Sequence, residues 1–212
     1  METSKPGGLL QPLPIPHRPW TDISMDFVDS LPKSHGYEVI LVVVDRLTKY
    51  VRFVALSHPY TAARVATMFM RDIFKFHGMP QSIVCDRDAV FTSRFWAELF
   101  KLQGTDLAMS SAYHPQTDGQ SEVVNRSLEQ YLRAFAHDKP QTWFDWLHLA
   151  EFWFNTNYHT STKLTPYEAL YGFPPPKILD YILGTTKVDA LHKLLHSRSH
   201  MLALLKQNLC AA

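Results

Sequence analysis

The run Val39-Ile-Leu-Val-Val-Val44 decides the architecture, because six consecutive apolar residues leave no polar face for water. At strand length, such a run belongs inside a sheet that is covered on both faces. Working outward, stretches 20–29 and 50–56 also read as strands, and the turns at 32–36 and 45–49 are short enough for antiparallel hairpins. A helix is expected over 61–77, where Val65, Met68, Phe69, Ile73 and Phe76 fall at helical spacing before the stop signals Gly78 and Pro80. Ser82-Ile-Val-Cys85 reads as a short buried strand. A second helix over 93–103 closes on Gly104, and 105–109 supplies a fifth strand. After a polar loop at 110–119, a long helix covers 120–136. Thr142 with Asp145 resembles a capping box for a helix that buries Trp146, Leu149, Ala150 and Trp153. Thr165-Pro-Tyr-Glu168 starts a short helix that Gly172 ends. Hairpins first, then alternating helix and strand, predict an α/β domain: a mixed five-stranded sheet flanked by helices.

Around this core, residues 10–19 carry four prolines, so 1–19 reads as an extended lead-in and the domain as 20–176. Over 177–212, Val188, Leu191, Leu195, Leu202, Leu205 and Leu209 suggest a C-terminal helical extension packing on the core. Hydrophobic residues at 46% and aromatics at 13% exclude a disordered chain. No apolar run reaches the roughly 20 residues of a membrane span, so no membrane partner is expected. Residues 1–19 lack a signal-peptide pattern, and an intracellular protein is the expectation. Cys85 and Cys210 alone cannot form a disulfide framework or a paired-cysteine zinc site. A net charge of +1 argues neither for nor against nucleic acid.

Three acids stand out. In Trp20-Thr-Asp-Ile-Ser-Met-Asp-Phe-Val28, Ile23, Met25 and Phe27 alternate with Asp22, Ser24 and Asp26, which puts the acids on one face of a strand. Taken alone, this segment reads as an exposed edge strand. Asp86 follows a buried strand directly, at the carboxyl end where open α/β sheets place ligand groups. Asp88 competes for that role but reads better as an Asx-turn or helix-cap residue. On the long helix, Glu122, Asn125, Arg126, Glu129 and Arg133 fall within about 60° of one direction, opposite Val124, Leu128, Tyr131, Leu132 and Phe135. By itself that is an ordinary amphipathic helix. Together, two strand aspartates and a helix glutamate can converge as hard oxygen ligands for Mg²⁺ or Mn²⁺. Two such ions can activate an attacking oxygen and stabilise a leaving one at phosphorus.

Thirty-five residues (87–121) separate Asp86 from Glu122, and this interval resembles the D,D-35-E signature of retroviral and retrotransposon integrases. The surrounding text resembles the Ty3/Gypsy branch of that family. It does so in Ile23-Ser-Met-Asp-Phe27, Val43-Val-Asp-Arg-Leu-Thr-Lys-Tyr50, Ser82-Ile-Val-Cys-Asp-Arg-Asp88 and Phe91-Thr-Ser-Arg-Phe-Trp96. The likeness continues through Ser111-Ala-Tyr-His-Pro-Gln-Thr-Asp-Gly-Gln-Ser-Glu-Val-Val-Asn-Arg126 and Thr165-Pro-Tyr-Glu-Ala-Leu-Tyr-Gly172. It implies an RNase H-like fold, with Asp26, Asp86 and Glu122 holding two Mg²⁺ or Mn²⁺ ions, and Asp88 not among the ligands. It also implies two reactions: 3′-end processing of element DNA and strand transfer into target DNA.

The same resemblance makes 110–119 an active-site loop, with Tyr113, His114, Gln116 and Gln120 beside DNA and Asn125 and Arg126 facing it. His114 reads equally as a loop histidine without catalytic duty. Lys49, Arg52 and Arg133 read as solvated surface charge. Family partners would be double-stranded DNA, both element ends and target, and further copies of the chain; the active element would work in the nucleus. Neither the family's zinc-binding domain nor its C-terminal DNA-binding domain is found in this sequence, so a fragment of a longer polyprotein or a truncated copy is expected. Two other readings stand beside this one: an RNase H-type nuclease, and a domesticated nucleic-acid-binding module without catalysis.

Overall fold

In a computed structural model, the protein is described over residues 15–85, 88–109, 119–137, 139–175, 186–193 and 195–196. Five strands form one mixed sheet: β1 (Asp22–Val28), β2 (Val39–Asp45), β3 (Val51–Leu56), β4 (Ser82–Cys85) and β5 (Asp106–Met109). Their order is β3-β2-β1-β4-β5. The first three pair antiparallel through hairpins, while β4 and β5 continue parallel from β1. All seven residues of β2 are buried, as its unbroken apolar run requires.

Strand alternation divides the core in two. On one face, Ile23, Met25, Leu41 and Val43 pack against Val65 and Phe69 of α1 (Ala62–Phe69) and Trp96 and Phe100 of α3 (Arg94–Gln103). Phe69 and Trp96 are fully buried and meet edge to face at 6.3 Å. Truncating either to alanine is expected to cost about 3–5 kcal/mol. On the other face, Ile40, Val42 and Val44 pack against Val124 and Leu128 of α4 (Gly119–Ala136) and Leu147 and Phe154 of α5 (Trp143–Thr156).

Several details differ from the sequence reading. The helix expected over 61–77 is capped by Thr61 as its polar side chain suggests, but it widens into a π-helical stretch, Met70–Phe74, before α2 (Lys75–His77). Thr142 does not cap α5; its hydroxyl donates to the Lys139 carbonyl at 2.8 Å, while Asp145 meets His35 at 3.0 Å. Trp143, Leu147, Ala150 and Phe154 are the buried stripe of α5, whereas Trp146, Leu149 and Trp153 are partly covered. Phe144 to Phe154 is apolar nearly all round, so its phase cannot be read from periodicity. The capping box of α6 (Pro166–Tyr171) is present in full, closed at Gly172 in the left-handed region.

Arg52 is not a solvated charge. It pairs with Glu151 at 2.9 Å and lies over the Phe76 ring at 4.9 Å. Lys49 donates to the Arg46 carbonyl at 2.6 Å, and burial pulls its pKa down. Arg133 is exposed beside Glu129, as expected. Of the extension, Val188 and Leu191 are exposed and Leu195 is half-buried; Leu202, Leu205 and Leu209 lie outside the described residues.

Candidate active site

Asp26 does not lie on an edge. Its strand, β1, is the middle one of five, so the exposed-edge reading of this acid is replaced by a half-buried carboxylate at the sheet centre. An acid there needs partners. Its Oδ1 accepts the Phe27 N–H at 2.8 Å, and its Oδ2 accepts Asn125 Nδ2 at 2.7 Å. A carboxylate only accepts, which fixes the Asn125 amide with its nitrogen toward Asp26. One rung earlier, Ser121 Oγ donates to Ser24 Oγ at 3.1 Å, with both serines buried. These two rungs hold α4 against β1, and Glu122 stands exposed between them in the helix's first turn.

The Asn125 carbonyl oxygen is buried and has no hydrogen-bond partner among the described residues. Such an atom costs a fold about 1–3 kcal/mol. In β4, Cys85 sits in parallel register with Met25, the residue before Asp26, and β4 ends there. Asp86 is the next residue of the chain and lies outside the described residues, as do Tyr113, His114 and Gln116 and the side chain of Gln120. Arg126 is exposed on α4. Among the described residues no three His, Cys, Asp or Glu side chains form a metal-sized cluster. Asp88 behaves as an Asx turn: its Oδ1 accepts the Val90 N–H at 2.7 Å.

Two polar positions escaped the sequence reading. Asp45 is fully buried and accepts the N–H groups of Trp20 at 3.0 Å and Thr48 at 3.1 Å, pinning the β2–β3 turn and the entry to β1. Its signal is the Asp-x-x-Thr spacing. Ser121 is the other, and only its place beside Glu122 marks it. A cavity of about 530 Å³ lies between β3, α1 and α5, and no predicted site residue lines it.

Residues 16–115 match the family described as Integrase core domain. Over 171 residues the chain is 38% identical to the Transposon Tf2-3 polyprotein of Schizosaccharomyces pombe, an alignment that takes in 81% of this chain and 13% of that polyprotein. The chain carries an integrase core domain. It spans only 13% of the polyproteins it matches. In fold, the integrase core resembles a chain of the simian T-cell lymphotropic virus intasome in complex with PP2A regulatory subunit B56 gamma. That likeness has a TM-score of 0.66 at 17% identity and covers 87% of this chain and 66% of that one. It also resembles the HTLV-2 integrase catalytic core in complex with magnesium, with a TM-score of 0.58 at 17% identity over 73% of this chain and 99% of that one. The fold is RNase H-like, a mixed sheet with helices on both faces. Neither the RNase H-type nuclease nor the non-catalytic module is favoured.

Proposed function

We propose that this integrase core is the catalytic part of a retrotransposon integrase: a divalent-metal-dependent polynucleotidyl transferase that trims element DNA 3′ ends and joins them to target DNA. The observation that carries this reading is Asp26: a half-buried carboxylate on the central strand, oriented by two N–H donors, inside a chain whose relatives are transposon polyproteins. Its donor set fits the metal, since Asp26, Asp86 and Glu122 offer hard carboxylate oxygens, which Mg²⁺ and Mn²⁺ prefer. When bound, two such ions supply Lewis-acid activation and charge stabilisation at phosphorus.

In this reading the chain's residues divide the work. Asp26 is fixed in direction by Phe27 and Asn125, Asp86 follows the neighbouring parallel strand, and Glu122 approaches from α4. Tyr113, His114, Gln116, Gln120 and Arg126 are proposed to touch DNA, with Arg126 suited to a phosphate. Double-stranded DNA and further copies of the chain are the proposed partners, in the nucleus for an active element; assembly with further copies is supported by the intasome and the trimeric and dimeric cores of the viral structures it resembles.

The test uses a labelled DNA duplex with Mg²⁺ or Mn²⁺. Nicking or strand joining is expected to disappear in Asp86→Asn and to persist in Asp88→Asn, whose carboxylate is engaged with its own backbone turn. Activity surviving Asp86→Asn rejects the ligand assignment.

A further inference from the structure

We propose that the small pocket between β2, α4 and the turn at 159–164 is a phosphate-binding subsite whose donors are Lys49, His159 and Ser161. Val124 in its wall lies about 200° around α4 from Glu122. The subsite therefore lies across the helix from that acid, and the proposal does not rest on the metal reading.

The cavity is about 140 Å³. A water molecule takes about 30 Å³, so the space suits a single tetrahedral oxyanion. Val44, Val124 and Phe154 form an apolar floor, and Lys49, His159 and Ser161 supply the polar wall. Among the described residues no acid lines it. A wall of donors without a carboxylate favours anions over cations.

The backbone of Lys49 is left-handed at φ 67°, a region that costs an L-residue about 1–2 kcal/mol and suits glycine better. Strain of that kind gathers at ligand sites, where the surroundings hold it in place. Lys49 Nζ donates to the Arg46 carbonyl at 2.6 Å, which uses one of the three donors of an ammonium. Among the described residues no carboxylate pairs with it. Asp45, on the same turn, accepts instead from the N–H groups of Trp20 and Thr48. The turn that carries His159 is fixed from both ends. His159 N–H donates to the Leu164 carbonyl at 3.0 Å, and Lys163 N–H donates to the His159 carbonyl at 2.8 Å. The His159 ring stands edge-on to Phe154 at 4.9 Å.

Electrostatics agree with this geometry. Burial first, and then the neighbouring Arg46 charge, pull the Lys49 pKa down, and Asp45 opposes them only in part. Burial and then Lys49 pull His159 down. Both shifts disfavour positive charge on one wall, and an anion seated between the two groups would reverse them.

The experiment follows the His159 ring by NMR in the 212-residue chain, in metal-free buffer, with inorganic phosphate or chloride added at equal ionic strength. Phosphate is expected to shift the ring resonances saturably and to raise the His159 pKa; chloride is expected to do neither. Lys49→Gly, which suits the backbone, should weaken phosphate binding at least about 10-fold, the usual loss of a charged hydrogen bond, and should unfold within a few degrees of wild type. Lys49→Gln should show the same weakening and decides the matter should the glycine variant not fold. Ser161→Ala should weaken binding less than either. Phosphate displaced from His159 by a short DNA duplex identifies the ligand as a backbone phosphate, and phosphate retained identifies it as the free anion; both keep the subsite.

No saturable response at His159, or an equal response to chloride, overturns the inference. So does wild-type phosphate affinity in Lys49→Gly. Failure of both Lys49 variants to fold also overturns it, since the lysine would then serve the turn and not a ligand.

Discussion

Two helices on the same face of this sheet each turn a polar pair, four residues apart, onto a strand. From α4 come Ser121 and Asn125, which reach the central strand β1; from α5 come Glu151 and Asn155, which reach the edge strand β3. The α5 pair is closed. Asn155 Oδ1 accepts the Val51 N–H at 2.8 Å and its Nδ2 donates to the Val51 carbonyl at 3.0 Å, while Glu151 accepts the Phe53 N–H at 2.7 Å. These donors face outward from the sheet, where an edge would otherwise be open to a foreign strand. The α4 pair is open, since Asn125 ends on a carboxylate and leaves a buried oxygen without a partner among the described residues. One device completes backbone hydrogen bonds and serves the fold. The other ends on the side chain of an acid and completes no backbone hydrogen bond.

Breaking the open pair at its acid should give the largest effect. Asp26→Asn keeps the side chain's shape and, with the Asn125 amide turned over to accept from the new amide nitrogen, both hydrogen bonds, so its unfolding temperature should stay within a few degrees of wild type. Metal-dependent strand cleavage should fall by about 1000-fold, equivalent to about 4 kcal/mol of transition-state stabilisation. A loss below tenfold would place Asp26 outside the chemistry. Breaking the closed pair should do the reverse. Asn155→Ala strands both backbone groups of the fully buried Val51 and is expected to cost about 2–4 kcal/mol. In a chain of this size that lowers Tm by roughly 5–15 °C. Cleavage at low temperature should be unchanged, measured on the same duplex. An Asn155 variant with normal Tm and impaired cleavage would erase the contrast.

The open pair was half legible in the sequence and the closed pair was not. Asp26 and Ser24 share a face by simple alternation, and Asn125 falls on the polar side of α4 at 100° per residue. What periodicity could not give is direction. It put Asn125 on the polar face of α4 and could not show that its amide meets Asp26 on the strand beneath. It also left Asp26 on an edge strand, because strand order is a long-range property and alternation a local one. Asn155 was hidden for a different reason: it is embedded in Phe152-Trp-Phe-Asn155, where apolar residues surround the helix and no phase can be assigned. Arg52 was likewise taken for a surface charge, since nothing local reveals that Glu151, 99 residues on, lies across from it. Caps and turns, whose physics is local, were read more reliably: Gly104 and the Thr165–Glu168 box stand where expected, though Thr142 does not.

The smallest effect sharpens the closed pair by pH. Burial raises the Glu151 pKa above its ordinary value, against the pull of Arg52 and the Phe53 N–H, which favour the charged form. The folded protein therefore takes up this proton at a higher pH than the unfolded chain. The stability tied to that uptake is fully present below the unfolded carboxylate pKa, near 4.3, and is lost as pH rises through the folded value. Glu151→Gln keeps an acceptor for the Phe53 N–H and removes the titration. Tm of the wild type minus that of the variant should accordingly be greater at pH 4 than at pH 8, by a few degrees at most. A difference that is flat, or larger at pH 8, would mean that the Arg52 ion pair outweighs burial and that α5 clamps the edge by charge as much as by hydrogen bonds.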